Sequence, residues 1–199
     1  MSIPDPRARA RIERAIERSA AVVASLTEQA DTLQAVCEAT VSVLKAGNKI
    51  LAAGNGGSAA EAMHLAEELT GRFRADRVPL PAIALNADST ALTCIGNDFG
   101  FEHVFGRQVQ ALGRPGDLLV LFSTSGNSPN LVQALGAARN QGMTTLCLLG
   151  RGGGALAGLS DLEIIVRSDD TERVQEAHQT VVHLILDAVE QAFANVKED

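Results

Sequence analysis

The amino-acid sequence predicts a doubly wound α/β fold, in which a parallel sheet carries helices on both faces. Short apolar runs that end in Gly, Ser or Asn alternate with longer segments of helical periodicity. Continuous apolar runs are typical of strands buried on both faces, and parallel strands need crossover connections between them. The 199 residues, of which 46% are hydrophobic and 21% charged, suffice for one globular domain with a sizeable core.

The predicted elements follow one another in a regular order. Two amphipathic helices precede any strand, because apolar residues recur at helical spacing from Ile12 to Leu26 and again from Leu33 to Leu44. Strands are predicted at Lys49–Ala53, Pro81–Leu85, Leu118–Phe122, Thr144–Leu149 and Leu162–Val166. Further helices are predicted at Ser58–Phe73, Phe101–Leu112, Pro129–Gln141 and Thr171–Ala194. We therefore expect a single domain over residues 1–199, with a helical extension at 1–46 and an α/β core at 47–199.

Charge and aromatic content narrow the classes of ligand. The chain has 17 Lys and Arg against 24 Asp and Glu, a formal charge of −7, and no basic stripe of the kind that nucleic acid requires. It has no Trp, no Tyr and six Phe, so it offers few stacking platforms for bases or sugar rings. We expect no nucleic-acid partner, and we expect any carbohydrate to be held by hydrogen bonds and charge.

The cysteines and the apolar segments indicate a cytoplasmic protein. Cys37, Cys94 and Cys147 are odd in number, far apart and set in apolar or mixed segments, which is typical of buried thiols rather than of a disulfide framework. No segment approaches the roughly 18 uninterrupted apolar residues of a membrane span, and the first residues lack the charged and apolar regions of a signal peptide. We therefore expect no membrane partner.

A glycine-rich loop follows the first predicted strand. The stretch Gly54-Asn-Gly-Gly-Ser-Ala59 matches the dinucleotide fingerprint G-x-G-x-x-[GA], which also needs an acid about 20 residues later, at the end of the next strand. Asp76 falls before that strand and Asp88 beyond it, so the fingerprint is weak. Ser58-Ala-Ala-Glu61 predicts a capping box at the start of the following helix.

A second loop, Ser123-Thr-Ser-Gly-Asn-Ser128, follows the third predicted strand. Ser128 suits the N-cap and Pro129 the first helical position, and the helix that follows carries no acid. Free backbone amides and hydroxyl groups without a carboxylate favour a phosphate dianion, whereas the first loop has Glu61 in its opening turn.

Ligands of open α/β sheets bind beyond the carboxyl ends of strands. We expect one site, with phosphate on the second loop and the uncharged part of the ligand on the first. The alternative is a serine-rich turn without a ligand.

The helix predicted at Ser58–Phe73 has a polar face that suggests a metal site. His64 and Glu68, four residues apart, lie opposite its apolar stripe of Ala62, Leu65, Ala66, Leu69 and Phe73. A solvated face is the plain interpretation, but an imidazole and a carboxylate presented to one point form half of a common metal site. Because both point away from their own core, we expect the terminal helix or a neighbouring subunit to cover them. We predict a site lined by more than one subunit.

The last predicted helix carries two histidines in different settings. Its apolar stripe consists of Val174, Ala177, Val181, Ile185, Ala188 and Ala192. His178 lies inside that stripe and is predicted to be a core histidine, whereas His183 lies on the polar side. Gln175 and His183 are about 12 Å apart along a regular helix, so sharing one metal would stretch both side chains unless Gln175 precedes the regular helix. Periodicity alone singles out neither residue.

Five stretches form an ordered set of motifs along the chain. They are Gly54-Asn-Gly-Gly-Ser58, Met63-His-Leu-Ala-Glu-Glu-Leu-Thr-Gly-Arg72, Ile95-Gly-Asn-Asp-Phe-Gly100, Ser123-Thr-Ser-Gly-Asn-Ser128 and Val174-Gln-Glu-Ala-His178 with His183. Together they closely resemble the phosphoheptose isomerases, a family of the sugar-isomerase (SIS) fold. The resemblance implies a three-layer α/β sandwich with a five-stranded parallel sheet. It also implies a homotetramer with sites near subunit interfaces, in which the extension at residues 1–46 takes part in oligomerisation.

The resemblance also implies an activity and a set of site residues. The family converts sedoheptulose 7-phosphate to D-glycero-D-manno-heptose 7-phosphate, toward activated heptose for cell-surface glycans such as lipopolysaccharide. On this sequence its catalytic residues fall on Glu68 and His183. Its zinc ligands, for one ion per subunit, fall on His64, Glu68, Gln175 and His183. Its substrate contacts fall on Asn55, Gly56, Gly57, Glu68, Asn97, Asp98, Ser123, Thr124, Ser125, Ser128 and Gln175.

The residue types make the implied chemistry intelligible. An aldose–ketose interconversion moves a proton between C1 and C2 through an enediolate, and it needs a carboxylate base and an acid–base partner near the oxygens. Glu68 would take the carbon-bound proton and His183 would serve the oxygens, while zinc would polarise the carbonyl. A metal-bound carboxylate is a weaker base, so the two roles of Glu68 compete.

Two other functions are compatible with the same fold. One is a non-catalytic SIS protein that binds the bacterial replication initiator, a relative in which the catalytic Glu and the final His are replaced. The other is a different sugar-phosphate isomerase or sugar-phosphate-sensing module of the SIS fold. Glu68 and His183 are both present here, which favours the enzyme over the binding protein.

Overall fold

Five parallel strands form the centre of the structure, a computed structural model that describes residues 6–194. They are β1 (Ile50–Gly54), β2 (Ala82–Ala84), β3 (Leu118–Ser123), β4 (Thr144–Leu149) and β5 (Leu162–Ile165). Their order across the sheet is β2-β1-β3-β4-β5, and each neighbouring pair is parallel. The predicted five-stranded parallel sheet is confirmed, with every strand end within one residue of its expected position.

Helices precede the sheet and connect its strands. They are α1 (Pro6–Ser25), α2 (Ala30–Lys45), α3 (Gly57–Thr70), α4 (Ser89–Phe99), α5 (Gly106–Leu112), α6 (Pro129–Asn140) and α7 (Thr171–Phe193). Short 3-10 segments occur at Leu26–Gln29, Phe101–His103 and Arg151–Leu156. Within the described residues, no helix has both the length and the apolar character needed to cross a bilayer.

The sheet is covered on both faces, so the predicted three-layer sandwich is confirmed. Side chains alternate along β1: Ile50 and Ala52 pack with α2, α3 and α7, whereas Leu51 and Ala53 pack with α5 and α6. All four residues are fully buried. Two apolar layers therefore hold the sheet, and burial on both faces explains the continuous apolar strands of the sequence.

The N-terminal helices lie against the last helix. Both α1 and α2 contact α7, and α2 contributes Val36 and Leu44 to the core beside it. Along α1, in contrast, Ile12 and Ile16 keep 61% and 63% of their surface exposed. The Pro-containing lead at residues 1–5 lies outside the described residues. The extension thus adds one well-packed helix to the core and one helix with an exposed apolar edge.

The region between β2 and β3 differs from the sequence prediction. A helix was not expected at Ser89–Phe99, but α4 occupies it, and the Asp88 carboxylate caps its start by accepting from two backbone amides. The single helix predicted at Phe101–Leu112 is broken into a 3-10 turn and α5. None of the α4 residues is buried, so the prediction that Cys94 is buried is wrong: Cys94 is exposed.

Candidate functional site

The ends of β1 and β3 lie side by side in the sheet. The chain leaves β1 toward β2 at one edge, and β3 pairs with the opposite side of β1. Gly54 pairs in register with Phe122, so the loops that follow the two strands start next to each other. Open α/β sheets bind ligands in the crevice at such a switch of direction. The structure therefore brings the two sequence-predicted loops into one place.

An amide pair ties the first loop to the helix that follows the second. The side-chain nitrogen of Asn55 donates to the Asn130 side-chain oxygen at 3.0 Å, and the Asn130 nitrogen donates back to the Asn55 oxygen at 2.9 Å. Asn130 is the second residue of α6 and is 2% exposed. The two hydrogen bonds fix the side chain of Asn55, a predicted substrate contact. Sequence analysis did not identify Asn130.

Glycine allows α3 to begin directly after β1. Gly56 has a φ of 58°, a left-handed conformation, and α3 begins at the next residue. A Cβ atom at Gly57 would overlap the side-chain amide of Gln175, so this glycine lets α7 approach. The predicted capping box is wrong. Because α3 begins before Ser58, that residue lies inside the helix without a capping bond, and Glu61 is buried.

Packing and hydrogen bonds hold the second loop. The backbone amide of Gly126 donates to Ser123 Oγ at 2.9 Å, and its carbonyl accepts from the Leu156 amide at 3.0 Å. Gly126 has a φ of 65°, and a Cβ atom there would overlap the backbone carbonyl of Gly153. The loop therefore rests on the 3-10 segment Arg151–Leu156 and needs glycine at this position.

A cavity of about 70 Å³ lies between the two loops. It is lined by Asn55, Ser58, Phe122, Ser123, Thr124, Ser125 and Ser128. Ser128 is the N-cap residue of α6 and Pro129 its first residue, as predicted, although the Ser128 side chain makes no capping hydrogen bond. The first turn of α6 carries no acidic residue, so the positive end of the helix is uncompensated. Hydroxyl groups at a helix N-terminus suit a phosphoryl group.

Imidazole and carboxylate groups of α3 form a cluster with an imidazole of α7. His64 Nε2 lies 3.2 Å from Glu68 Oε1 and 4.0 Å from Glu67 Oε1. The rings of His64 and His183 meet edge to face, with centroids 5.4 Å apart, and Phe73 stacks on His183. The structure thus brings together both predicted catalytic residues and three of the four predicted zinc ligands. Gln179 and His183 of the terminal helix of the same chain cover His64, which was one of the two expected arrangements.

The remaining sequence-predicted residues lie apart from this cluster. Gln175 is inside the regular part of α7, eight residues before His183, and its amide lies over Gly57. Asn97 and Asp98 are exposed at the end of α4, where the Asn97 nitrogen donates to Asp98 Oδ1 at 2.7 Å. Among residues 6–194, no hydrogen bond connects these two to the cavity or to the histidines.

Gln179 is a member of the cluster that sequence reasoning missed. Its side-chain nitrogen lies 2.6 Å from Nδ1 of His64 and 3.1 Å from Nε2 of His183. It is four residues from Gln175 and four from His183, so all three lie on one face of α7. That spacing could have identified Gln179 from the sequence, because a residue one helical turn from each of two candidate ligands lies on the same helix face as they do.

A buried polar pair joins α3 to α7 beneath the cluster. Nδ1 of His178 lies 3.6 Å from Glu61 Oε2, and the His178 ring packs edge to face with Phe122. His178 is 0% exposed, which confirms the prediction of a core histidine. Both of its ring nitrogens and Glu61 Oε2 lack a hydrogen-bond partner among the described residues. The carboxylate that sequence analysis assigned to a capping box therefore belongs to the interface between the two helices.

The donor atoms of the cluster around His64 and Glu68 suit a divalent cation such as zinc. One ligand atom each of His64, Glu67 and Glu68 lies within 4.8 Å of the other two. Imidazole nitrogen and carboxylate oxygen are ligands that zinc takes in proteins. Glu67 was not among the predicted ligands, and it is more exposed than Glu68.

Comparisons of the sequence and of the structure with known proteins identify relatives of one family. The model of the SIS domain family matches residues 15–150. The phosphoheptose isomerase of Campylobacter concisus is 51% identical over 162 residues, which cover 81% of this chain and 86% of that protein. The structure of a phosphoheptose isomerase from Francisella tularensis superposes with a TM-score of 0.89 at 35% identity, covering 92% of this chain and 98% of that one. The phosphoheptose isomerase structure from Neisseria gonorrhoeae gives a TM-score of 0.83 at 41% identity, covering 93% and 97%.

Proposed function

Because the chain belongs to the phosphoheptose isomerases of the SIS domain family, we propose that it interconverts sedoheptulose 7-phosphate and D-glycero-D-manno-heptose 7-phosphate. The observation that carries this proposal is the pairing of two features. A polar cavity lies at the switch between β1 and β3, and α3, which starts at that cavity, carries His64 and Glu68 of the His64–Glu68–His183 cluster farther along its length. The product supplies heptose for cell-surface glycans such as lipopolysaccharide.

The second loop holds the phosphate of the substrate in this proposal. Ser123, Thr124, Ser125 and Ser128 offer hydroxyl groups, and the start of α6 offers backbone amides at the positive end of a helix. Asn55, fixed by Asn130, and the backbone of Gly56 and Gly57 contact the sugar hydroxyls. Asn97, Asp98 and Gln175 complete the proposed set of substrate contacts. The exposed positions of Asn97 and Asp98 at the end of α4, away from both loops, support a site completed by another copy of the chain.

Glu68 moves the carbon-bound proton. Its carboxylate takes a proton from C1 of the ketose and returns it to C2, which gives the aldose through an enediolate. His183 accepts a proton from the oxygen on C1 and donates one to the oxygen on C2, so that protons balance over the whole reaction. His64, 3.2 Å from Glu68, holds the carboxylate in place.

One zinc ion per subunit is proposed at the cluster. The ligands are His64, Glu68, Gln175 and His183, of which the two imidazoles and the carboxylate lie together, whereas the Gln175 amide would have to turn away from Gly57. When bound, zinc polarises the substrate carbonyl and stabilises negative charge on its oxygens. Side chains that also contact the metal are held in orientation before substrate arrives.

A homotetramer with shared sites is proposed for the working enzyme. Ser58 at the cavity and Glu68 are ten residues apart on α3, about 15 Å along the helix axis, a long span for one heptose phosphate. The exposed Ile12 and Ile16 offer α1 an apolar edge for another copy, so residues 1–46 are the proposed oligomerisation segment. A cytoplasmic location is proposed from the three cysteines, each of which is a free thiol.

Incubation with sedoheptulose 7-phosphate, followed by NMR, tests the function. We expect heptose 7-phosphate to form, and we expect a chelator to slow the reaction. A different sugar-phosphate isomerase would leave this substrate unchanged and act on another ketose phosphate. A non-catalytic protein that binds the replication initiator would leave every sugar phosphate unchanged, and its partner binding would survive the Glu68→Gln and His183→Gln substitutions.

A further inference from the structure

Four side chains form a continuous chain of contacts across α3 and α7. The Glu68 carboxylate contacts Nε2 of His64, and Nδ1 of His64 contacts the Gln179 side-chain nitrogen. The same nitrogen contacts Nε2 of His183. Among residues 6–194, these two imidazoles are the hydrogen-bond partners of the Gln179 side chain. One amide therefore faces both rings at once.

The chemistry of an amide makes the two rings depend on each other. The nitrogen end of a glutamine side chain carries two hydrogens and only donates, whereas the oxygen end has two lone pairs and only accepts. If the nitrogen faces the rings, Nδ1 of His64 and Nε2 of His183 must both accept. If the amide makes a half-turn, the oxygen takes the same place and both ring nitrogens must carry hydrogen. In either orientation, Gln179 determines which nitrogen of each neutral ring is protonated.

We propose that Gln179 is a positioning residue that sets the tautomers of His64 and His183 and that its half-turn accompanies metal binding. With the amide nitrogen toward the rings, His64 carries its hydrogen on Nε2 and donates it to Glu68. With the amide oxygen toward the rings, the hydrogen moves to Nδ1. Nε2, the nitrogen beside Glu67 and Glu68, then has a free lone pair for the cation. This inference rests on the metal site of the proposed function.

Neighbouring side chains restrict rotation of both imidazole rings. Phe73 stacks on His183 with ring centroids 5.9 Å apart and an interplanar angle of 26°, which restricts rotation of that imidazole. His64 is held between Glu68 on its own helix and Gln179 on α7. Among these four side chains, the Gln179 amide can therefore change from hydrogen-bond donor to acceptor without moving either ring.

Two-bond ¹H–¹⁵N spectra of histidine, recorded without and with zinc, read the tautomers directly. In the zinc-free wild type we expect the hydrogen of His64 on Nε2, and after zinc binding on Nδ1. In Gln179→Glu the carboxylate only accepts, so the Nδ1–H form should be present before zinc is added. In Gln179→Leu neither form is selected, and both should be populated.

Zinc affinity, measured by competition with a chromophoric chelator, is the second readout. Gln179→Leu should weaken zinc binding about 10- to 100-fold, the usual effect of removing an outer partner of a ligating histidine, and Gln179→Glu should restore it. The matched control is Gln191→Leu on the same helix, whose amide donates to Asp187 at 2.8 Å, away from the cluster. The control should leave both the His64 tautomer and the zinc affinity unchanged.

The inference is overturned if Gln179→Leu keeps the wild-type tautomers and zinc affinity, or if the wild type binds no zinc. Neither readout uses the sugar. Turnover of sedoheptulose 7-phosphate by a protein whose tautomers ignore Gln179 would therefore refute this inference alone. Tautomers that follow Gln179 in a protein without turnover would refute the proposed reaction alone.

Discussion

Among individual residues, sequence spacing identified the candidate metal-binding pair but not the residues that hold the substrate loops in place. His64 and Glu68 were predicted from a separation of one helical turn, and they do lie in contact. Asn130 was not predicted, because nothing in one sequence distinguishes a buried asparagine from an exposed one near a helix start. Its role comes from the pairing of β1 with β3, which brings Asn55 within hydrogen-bonding distance.

Asn130→Leu should weaken both the fold and substrate binding. The substitution removes both amide hydrogen bonds and leaves the Asn55 amide unpaired, which we expect to cost about 1–3 kcal/mol of unfolding free energy. Because Asn55 is then free to move, KM should rise more than kcat falls. Urea denaturation and steady-state kinetics measure the two effects. Asn140→Leu, at the exposed end of the same helix, is the control, and equal effects of both substitutions would contradict the role of Asn130.

Among the elements, the strands and the helices that pack against the sheet were predicted well, whereas a helix at the surface was not. Strand β4 was predicted at its observed bounds because an apolar run with burial on both faces is unmistakable. Helix α4 was missed because its residues are at most half-buried, and the capping aspartate Asp88 was its one clear signal. The start of α3 was displaced because the left-handed conformation of Gly56 cannot be read from the residue type alone.

Gly126→Ala should destabilise the second loop. The left-handed conformation alone costs about 1–2 kcal/mol for a residue with a Cβ, and the added methyl group would also overlap the Gly153 carbonyl. The free energy of unfolding should fall and KM for the sugar phosphate should rise. Gly136→Ala, within α6 and with no neighbour near the added atom, should instead stabilise by roughly 0.5–1 kcal/mol. A Gly126→Ala protein as stable as the wild type would show that the loop adapts.

The layered α/β architecture of the protein was predictable from the sequence, but the order of its strands was not. Alternating strands and helices define a doubly wound sheet, but the position of β1 between β2 and β3 is a property of the folded chain. That position decides which two loops meet. The interpretation of a site between the loops after β1 and β3 therefore depended on their composition, and the structure supplied the reason for their proximity.

Burial of Cys147 predicts a pH-dependent stability. Burial raises the pKa of this thiol to about 11 from 9.0. The folded state then keeps a proton that the unfolded chain releases, so ionisation favours unfolding as pH rises from about 9 to about 11. Urea denaturation across this range should show a falling free energy of unfolding, with a smaller fall in Cys147→Ala. Cys94→Ala, at an exposed thiol, should match the wild type. Labelling of native Cys147 at pH 8 as fast as Cys94 would contradict its burial.

Assembly should depend on the exposed edge of α1. The double substitution Ile12→Asp and Ile16→Asp places charge on two apolar side chains that are each more than half exposed, so the monomer should fold but associate weakly. Sedimentation velocity should show smaller species, and turnover should be lost if sites are shared. Ala24→Asp, at an exposed position on the same helix, should leave assembly intact. A folded monomer with full turnover would contradict a shared site.

Proton transfer by Glu68 can be measured through isomerisation in D₂O. Sedoheptulose 7-phosphate is incubated with the wild type, with Glu68→Gln and with Glu67→Gln, its neighbour on the same turn, and NMR follows C2 of the heptose. Glu68→Gln should be slower than the wild type by about 10²- to 10⁴-fold, whereas Glu67→Gln should keep the wild-type rate. Deuterium should reach C2 to the extent that the proton held by Glu68 exchanges with solvent before it is returned. Wild-type turnover by Glu68→Gln would contradict proton transfer by this carboxylate.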